Sequence, residues 1–112
     1  ALFNDQAVFH GTDLNKRWTI DEFKNYAQNR FDTGTGWTYK SLERNIFINS
    51  SNTTAWFDEI LINKKYGKFR GTGVLSKVDG MWKIDQYNLL FPIPNYFLLK
   101  YTKEVKEYLK NN

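Results

Sequence analysis

Between Thr54 and Asn95 the chain runs through three strand-like segments in near-unbroken succession, and the way these must pair limits the folds open to it. Asp79-Gly80 is a two-residue hairpin signal, because a type I′ turn needs positive φ at both central positions. That turn pairs Val78 with Met81. Trp82, Ile84, Gln86 and Asn88 then share a face with Leu75, Gly73, Gly71 and Phe69. Lys83 and Asp85 take the other face, so the Trp82 side is expected to be the inner one. A four-residue loop at Lys64–Gly67 brings Trp56, Asp58, Ile60 and Ile62 to the inner face. A five-residue loop at Asn49–Thr53 adds Leu42, Arg44, Ile46 and Ile48.

This registration places Arg44 directly across from Asp58, with Gln86 and Asn88 facing them. Gly71 and Gly73 lie beneath, where missing side chains leave room and let the sheet bend. A pocket between Trp56 and Trp82 is expected, with aromatic walls and a few convergent polar groups. An Arg–Asp pair that only satisfies itself is the competing reading, since a desolvated charge needs a partner whether or not it binds anything. The opposite face collects Phe57, Leu61, Val74, Tyr87 and Leu89. A monomer seldom displays so many large apolar groups on one sheet face. A homodimer through Phe57, Val74, Tyr87 and Leu89 is therefore expected.

The remaining segments are simpler. Residues 1–10 have strand-like content, broken by Gly11-Thr12-Asp13. Thr19-Ile20-Asp21-Glu22 is a capping box. Ile20, Phe23, Tyr26, Ala27 and Phe31 follow at helical spacing, which predicts a helix over 20–31. Strands are expected near 38–48, 54–62, 69–77 and 82–90. Phe91-Pro92-Ile93-Pro94 must leave the sheet, because two prolines cannot serve a ladder. Residues 97–110 read as a helix with Leu98, Tyr101, Val105 and Leu109 on one face. Asn49-Ser50-Ser51 and Asn52-Thr53-Thr54 are formal glycosylation sequons that turn chemistry explains more simply.

One hundred and twelve residues make one domain with one core. An aromatic content of 18% exceeds what a minimal core needs and suits a curved sheet around a cavity. With no cysteine and one histidine, disulfides and thiolate chemistry are excluded and a zinc site is not expected. No cofactor is implied. The net charge of +4 is scattered along the chain, so nucleic-acid binding is not expected. No apolar run is long enough to span a membrane.

Taken together, Glu43-Arg44-Asn45-Ile46, Ala55-Trp56-Phe57-Asp58-Glu59, Arg70-Gly71-Thr72-Gly73-Val74-Leu75, the Asp79-to-Leu89 hairpin arm and Ile93-Pro94-Asn95 resemble the SnoaL-like branch of the nuclear transport factor 2-like superfamily. The resemblance covers roughly residues 5–95, leaving 96–112 as a helical extension. It implies an α+β cone, a strongly curved antiparallel sheet wrapped around helices and commonly dimeric through the sheet. Members usually begin with one or two helices that plug the cone; this sequence starts at the strand after them. Relatives include ketosteroid isomerase, polyketide cyclases and non-catalytic association domains, so the fold alone does not choose a function. His10 stands roughly where the isomerase keeps its catalytic carboxylate.

Two functions follow. The first is a binding or dimerisation domain whose aromatic cavity takes a small apolar or aromatic molecule. Arg44, Trp56, Asp58, Gly73, Trp82, Gln86 and Asn88 would line it. The second is cofactor-free proton transfer, as in an isomerase, cyclase or dehydratase. There His10 or Asp58 would be the base, and Arg44, Gln86 or Asn88 would hold the oxyanion.

Overall fold

Among the described residues six strands form one mixed sheet in the order β2-β1-β6-β5-β4-β3. A computed structural model describes residues 3–24 and 39–111. The strands are β1 (Phe3–His10), β2 (Arg17–Thr19), β3 (Lys40–Ile48), β4 (Thr54–Asn63), β5 (Gly67–Val78) and β6 (Met81–Leu90). Strands β3 to β6 form an antiparallel meander, and β1 adds to β6 in parallel. The short β2 strand, not anticipated from the sequence, pairs antiparallel with β1. A helix, α1, begins at Ile20 and is described over 20–24. The rest of the helix expected over 20–31 lies outside the described residues. Beyond the sheet come a 3-10 turn at Asn95–Phe97 and helix α2 (Leu98–Asn111).

Local chemistry explains the element ends. The Thr19 hydroxyl accepts from the Glu22 amide at 3.3 Å, and the Glu22 carboxylate accepts from the Thr19 amide at 3.1 Å, closing the capping box. Asp79 and Gly80 have φ of 51° and 79°, the geometry the β5–β6 turn requires.

Two other loops close differently from expectation. Gly67, at φ 89°, ends a tighter β4–β5 turn in which Asn63 pairs with Gly67. The Asn63 side-chain oxygen accepts from the Lys65 and Tyr66 amides at 2.9 and 3.0 Å, which holds that turn. At the β3–β4 loop Ile48 pairs with Ala55. There the Asn49 side chain takes the Thr53 and Thr54 amides at 2.9 and 3.0 Å. Each change shifts the register by one residue, and the two cancel across β4. Strand β5, and β3 from Glu43 onward, therefore keep their expected faces while β4 turns over. At the start of β3 the register shifts between Ser41 and Glu43, which leaves Leu42, expected inward, as the extra residue of a bulge.

A further adjustment lies in β6. The register shifts between Val74 and Leu75 of β5, so that Leu75 faces Ile84 and Val74 faces Gln86, leaving Asp85 as the extra residue of a bulge. Its carboxylate accepts from Ser76 Oγ at 3.1 Å and from the Asn4 side-chain amide, which ties the bulge to β5 and β1. Beyond Asp85 the faces of β6 are exchanged. Gln86 and Asn88 therefore leave the inner side, and Tyr87 and Leu89 enter it.

The inner face is the one α1 covers. Phe23 stacks on Phe9 with ring centroids 4.1 Å apart, and Phe9 stacks on Tyr87 at 5.5 Å. One row across the sheet reads Ile46–Phe57–Gly73–Tyr87–Phe9–Trp18. Among the described residues, Ala7, Ile20, Ala55, Leu61 and Phe69 are the buried apolar ones. Helix α2 packs against the preceding 3-10 turn and contributes no buried residue.

Candidate functional site

The only buried charged residue among those described is Glu59, at 5% exposure. It points inward from β4, opposite Arg44 on β3 and Gly71 on β5. A carboxylate removed from water needs donors, and two residues supply them. Arg44 donates from Nε at 2.9 Å and from Nη2 at 2.7 Å, both to Oε1. Tyr87 donates its phenolic hydrogen to Oε2 at 2.6 Å. Burial first, then the hydrogen bond to Glu59 and that residue's charge, push the Tyr87 phenol well above its ordinary value. Tyr87 thus stays protonated and serves as a donor.

The two glycines have a use different from the one expected. A Cβ at Gly71 would meet Tyr87 Oη at 2.2 Å and Glu59 Oε2 at 2.8 Å. A Cβ at Gly73 would meet Phe57 Cε1 at 2.4 Å and Cζ at 2.6 Å. The glycines let Tyr87 and Phe57 lie down on the sheet, and those rings fill the space assigned to a pocket at Gly73. The position of Trp56 adds a second correction, because it lies on the outer face beside Phe47, with ring centroids 6.2 Å apart. Trp82 is at the far hairpin end, under the Lys77 ammonium at 5.4 Å. Among the described residues these two tryptophans do not stand together as the walls of one pocket.

Arg44 does have an acidic partner, but it is Glu59 and not Asp58. Asp58 is exposed on the outer face and accepts from Asn45 Nδ2 at 3.1 Å. A polar row crosses that face: Asn45–Asp58–Thr72–Asn88–His10–Arg17. His10 and Asp58 belong to it, three strand spacings or about 14 Å apart. They do not converge, and neither faces Arg44. Gln86 and Asn88 also lie on the outer face. Of the expected lining residues, Arg44 and Gly73 remain inward beside the cluster, while Trp56, Asp58, Gln86 and Asn88 do not.

The face expected to dimerise is likewise exchanged. Phe57, Tyr87 and Leu89 point inward, and Val74 remains outside with Phe47 and Trp56. Glu59 and the inward role of Tyr87 were missed in the sequence. For Glu59 the available signals were Gly67, whose positive φ shortens the turn, and Asn49, whose side chain takes the Thr53 and Thr54 amides. For Tyr87 there was none, because its face is set by the bulge at Asp85.

What stays open is the inner side of β3. The Arg44 side chain is 52% exposed, and Ile46 and Ile48 are 60% and 54% exposed. Apolar side chains standing in water beside a half-exposed guanidinium form a surface that a small amphipathic molecule would fit. Among the described residues no group of His, Asp and Glu is placed to hold a metal ion.

Comparison with known proteins agrees with this architecture. The SnoaL-like domain matches residues 1–94. Among curated proteins none matches the chain in sequence. An uncharacterised protein of Caulobacter vibrioides with a cystatin-like fold superposes with a TM-score of 0.70 at 11% identity, over 92% of this chain and 80% of its own. A domain from Nostoc punctiforme with the same fold gives 0.68 at 16% identity, over 98% and 76%. An NTF2-like protein of Cytophaga hutchinsonii gives 0.61 at 17% identity, over 81% and 77%. At such identities these structures speak for the fold alone.

Proposed function

The chain belongs to the SnoaL-like domain family, and from that premise we propose that it binds a small, largely apolar molecule on the inner side of β3 without proton-transfer chemistry. The observation that carries this is the closed state of Glu59. Arg44 engages one carboxylate oxygen and Tyr87 the other, so the buried acid is spoken for on both sides. A general base has to reach the proton it abstracts. His10 and Asp58, the expected bases, are on the other side of the sheet. Exposed Ile46 and Ile48 give the ligand its apolar contact.

The isoleucines supply the test. Ile46 and Ile48 face inward, and Ile60 and Ile62 face outward. In methyl-labelled protein, titration with naphthalene-2-methanol, a neutral flat probe, should shift the Ile46 and Ile48 signals and spare those of Ile60 and Ile62. Shifts confined to Ile60 and Ile62, or none at all with this or any charged analogue, would overturn the reading.

Self-association of the outer face is a second reading with its own support. Phe47 and Trp56 stack there while 49% and 47% exposed, and Val74 stands beside them at 36%. A second copy would cover an aromatic patch that a monomer leaves in water.

A further inference from the structure

We propose that the molecule bound against β3 is a monoanion, a carboxylate on a flat apolar body, held by the outward edge of the Arg44 guanidinium. This rests on the inner-face binding reading above and names the ligand's chemistry. Arg44 uses Nε and one Nη2 hydrogen on Glu59. A guanidinium carries more donors than that, and they lie in one plane suited to paired bonds with a carboxylate. Among the described residues no other acceptor takes them. With its side chain half in water, Arg44 presents this remaining edge to solvent.

Glu59 and Tyr87 act here as positioning residues. Glu59 is buried behind the guanidinium and fixes its plane. Tyr87 donates to the far carboxylate oxygen, which draws the negative charge inward and away from the exposed edge. The exposed surface is then locally positive although the pair sums to zero. That zero sum also sets the ligand's charge. Both the attraction to the guanidinium and the repulsion from Glu59 double for a dianionic phosphate, but its desolvation cost rises with the square of its charge, so a monoanion is the better match to this half-neutralised edge.

The body of the ligand follows from strand geometry. Ile46 and Ile48 lie two and four residues beyond Arg44 on the same face, about 7 and 13 Å along the strand. A fused two-ring system attached to a carboxylate spans that strip with its charged end at Arg44.

The experiment compares three probes of one shape: 2-naphthoate, naphthalene-2-methanol and 2-naphthyl phosphate. Binding is followed by the Ile46 and Ile48 methyl signals, and folding by those of Ile60 and Ile62. The expected result is at least tenfold tighter binding of 2-naphthoate than of the neutral alcohol, with the phosphate no tighter than the carboxylate. Arg44→Met should abolish the preference for the carboxylate over the alcohol. Arg44→Lys, which keeps the charge without the planar fork, should retain a reduced preference and covers the case in which the methionine variant fails to fold. Equal affinity for carboxylate and alcohol in the unmodified protein would overturn the monoanion and leave the binding site standing. Preferential binding of the phosphate would overturn the monoanion in favour of a dianion. No binding of any probe would overturn the site itself.

Discussion

Arg44→Met tests the geometry of the inner face most directly, and its effect can be estimated from the structure. It removes hydrogen bonds of 2.9 and 2.7 Å to a carboxylate that is 5% exposed. Breaking a fully buried ion pair costs about 3–5 kcal/mol, whereas exposed pairs contribute about 0–1 kcal/mol. Arg44 is 52% exposed, so water reaches one side of the pair. The loss is expected between these limits, at about 2 kcal/mol. Glu59→Leu removes the buried charge itself. Arg44 can then hydrate, and the main cost is the acceptor lost by Tyr87, about 1 kcal/mol. The double variant carries no stranded charge and should lose only about 1 kcal/mol. The singles sum to about 3 kcal/mol, so the coupling should be about 2 kcal/mol.

Urea denaturation with matched m-values reads these differences. A double variant whose loss equals the sum of the singles within about 0.5 kcal/mol would show that Arg44 and Glu59 do not interact. Asp58→Leu serves as the control. As an exposed outer-face residue it should change stability by no more than about 0.5 kcal/mol, and a large loss coupled to Arg44 would refute the register.

Three further outcomes are expected. Tyr87 has its folded value raised above the ordinary 10.0, so its contribution is complete below about pH 10 and disappears as pH rises through the folded value; stability measured against pH should fall less steeply at the alkaline end in Tyr87→Phe. Gly73→Ala forces a Cβ to 2.4 Å from Phe57 and should destabilise by about 1–3 kcal/mol, with Phe57→Leu in the same chain recovering part of the loss in chemical denaturation. If a second copy covers the outer face, sedimentation should show a dimer at micromolar concentration that Trp56→Glu converts to monomer; a monomeric unmodified protein would reject it.

The meander was legible because its elements carry strong local signals: the Asp79-Gly80 turn, the Thr19–Glu22 capping box and the two prolines after Phe91. The face of β4 was not. Both alternations along that strand are apolar, with Trp56, Ile60 and Ile62 on one side and Ala55, Phe57 and Leu61 on the other. Hydrophobic pattern therefore had no power to choose, and the choice fell to two loops. In one, Gly67 adopts positive φ and removes a loop residue. In the other, Asn49 gathers two backbone amides and adds one. The bulge at Asp85 was hidden for a related reason. It is held by Asn4 from a strand far away in sequence, so nothing local announces it.

Adjacent acids explain why Arg44 could be read correctly while its surroundings were not. Asp58 and Glu59 are neighbours in the chain, so a one-residue slip replaces one carboxylate opposite Arg44 with another and the pairing survives as chemistry. What changes is the company it keeps. In the expected register the pair would have faced the Gln86 and Asn88 amides, a polar set able to hold an oxyanion beside a base. With β4 and the end of β6 both turned over, the carboxylate meets Tyr87 instead. A phenol whose proton is held by burial and by the acid itself cannot accept one from a substrate. That arrangement is what the proposed reading rests on: an inner face that holds a charge and does not move a proton, with Arg44 as the group to meet a ligand.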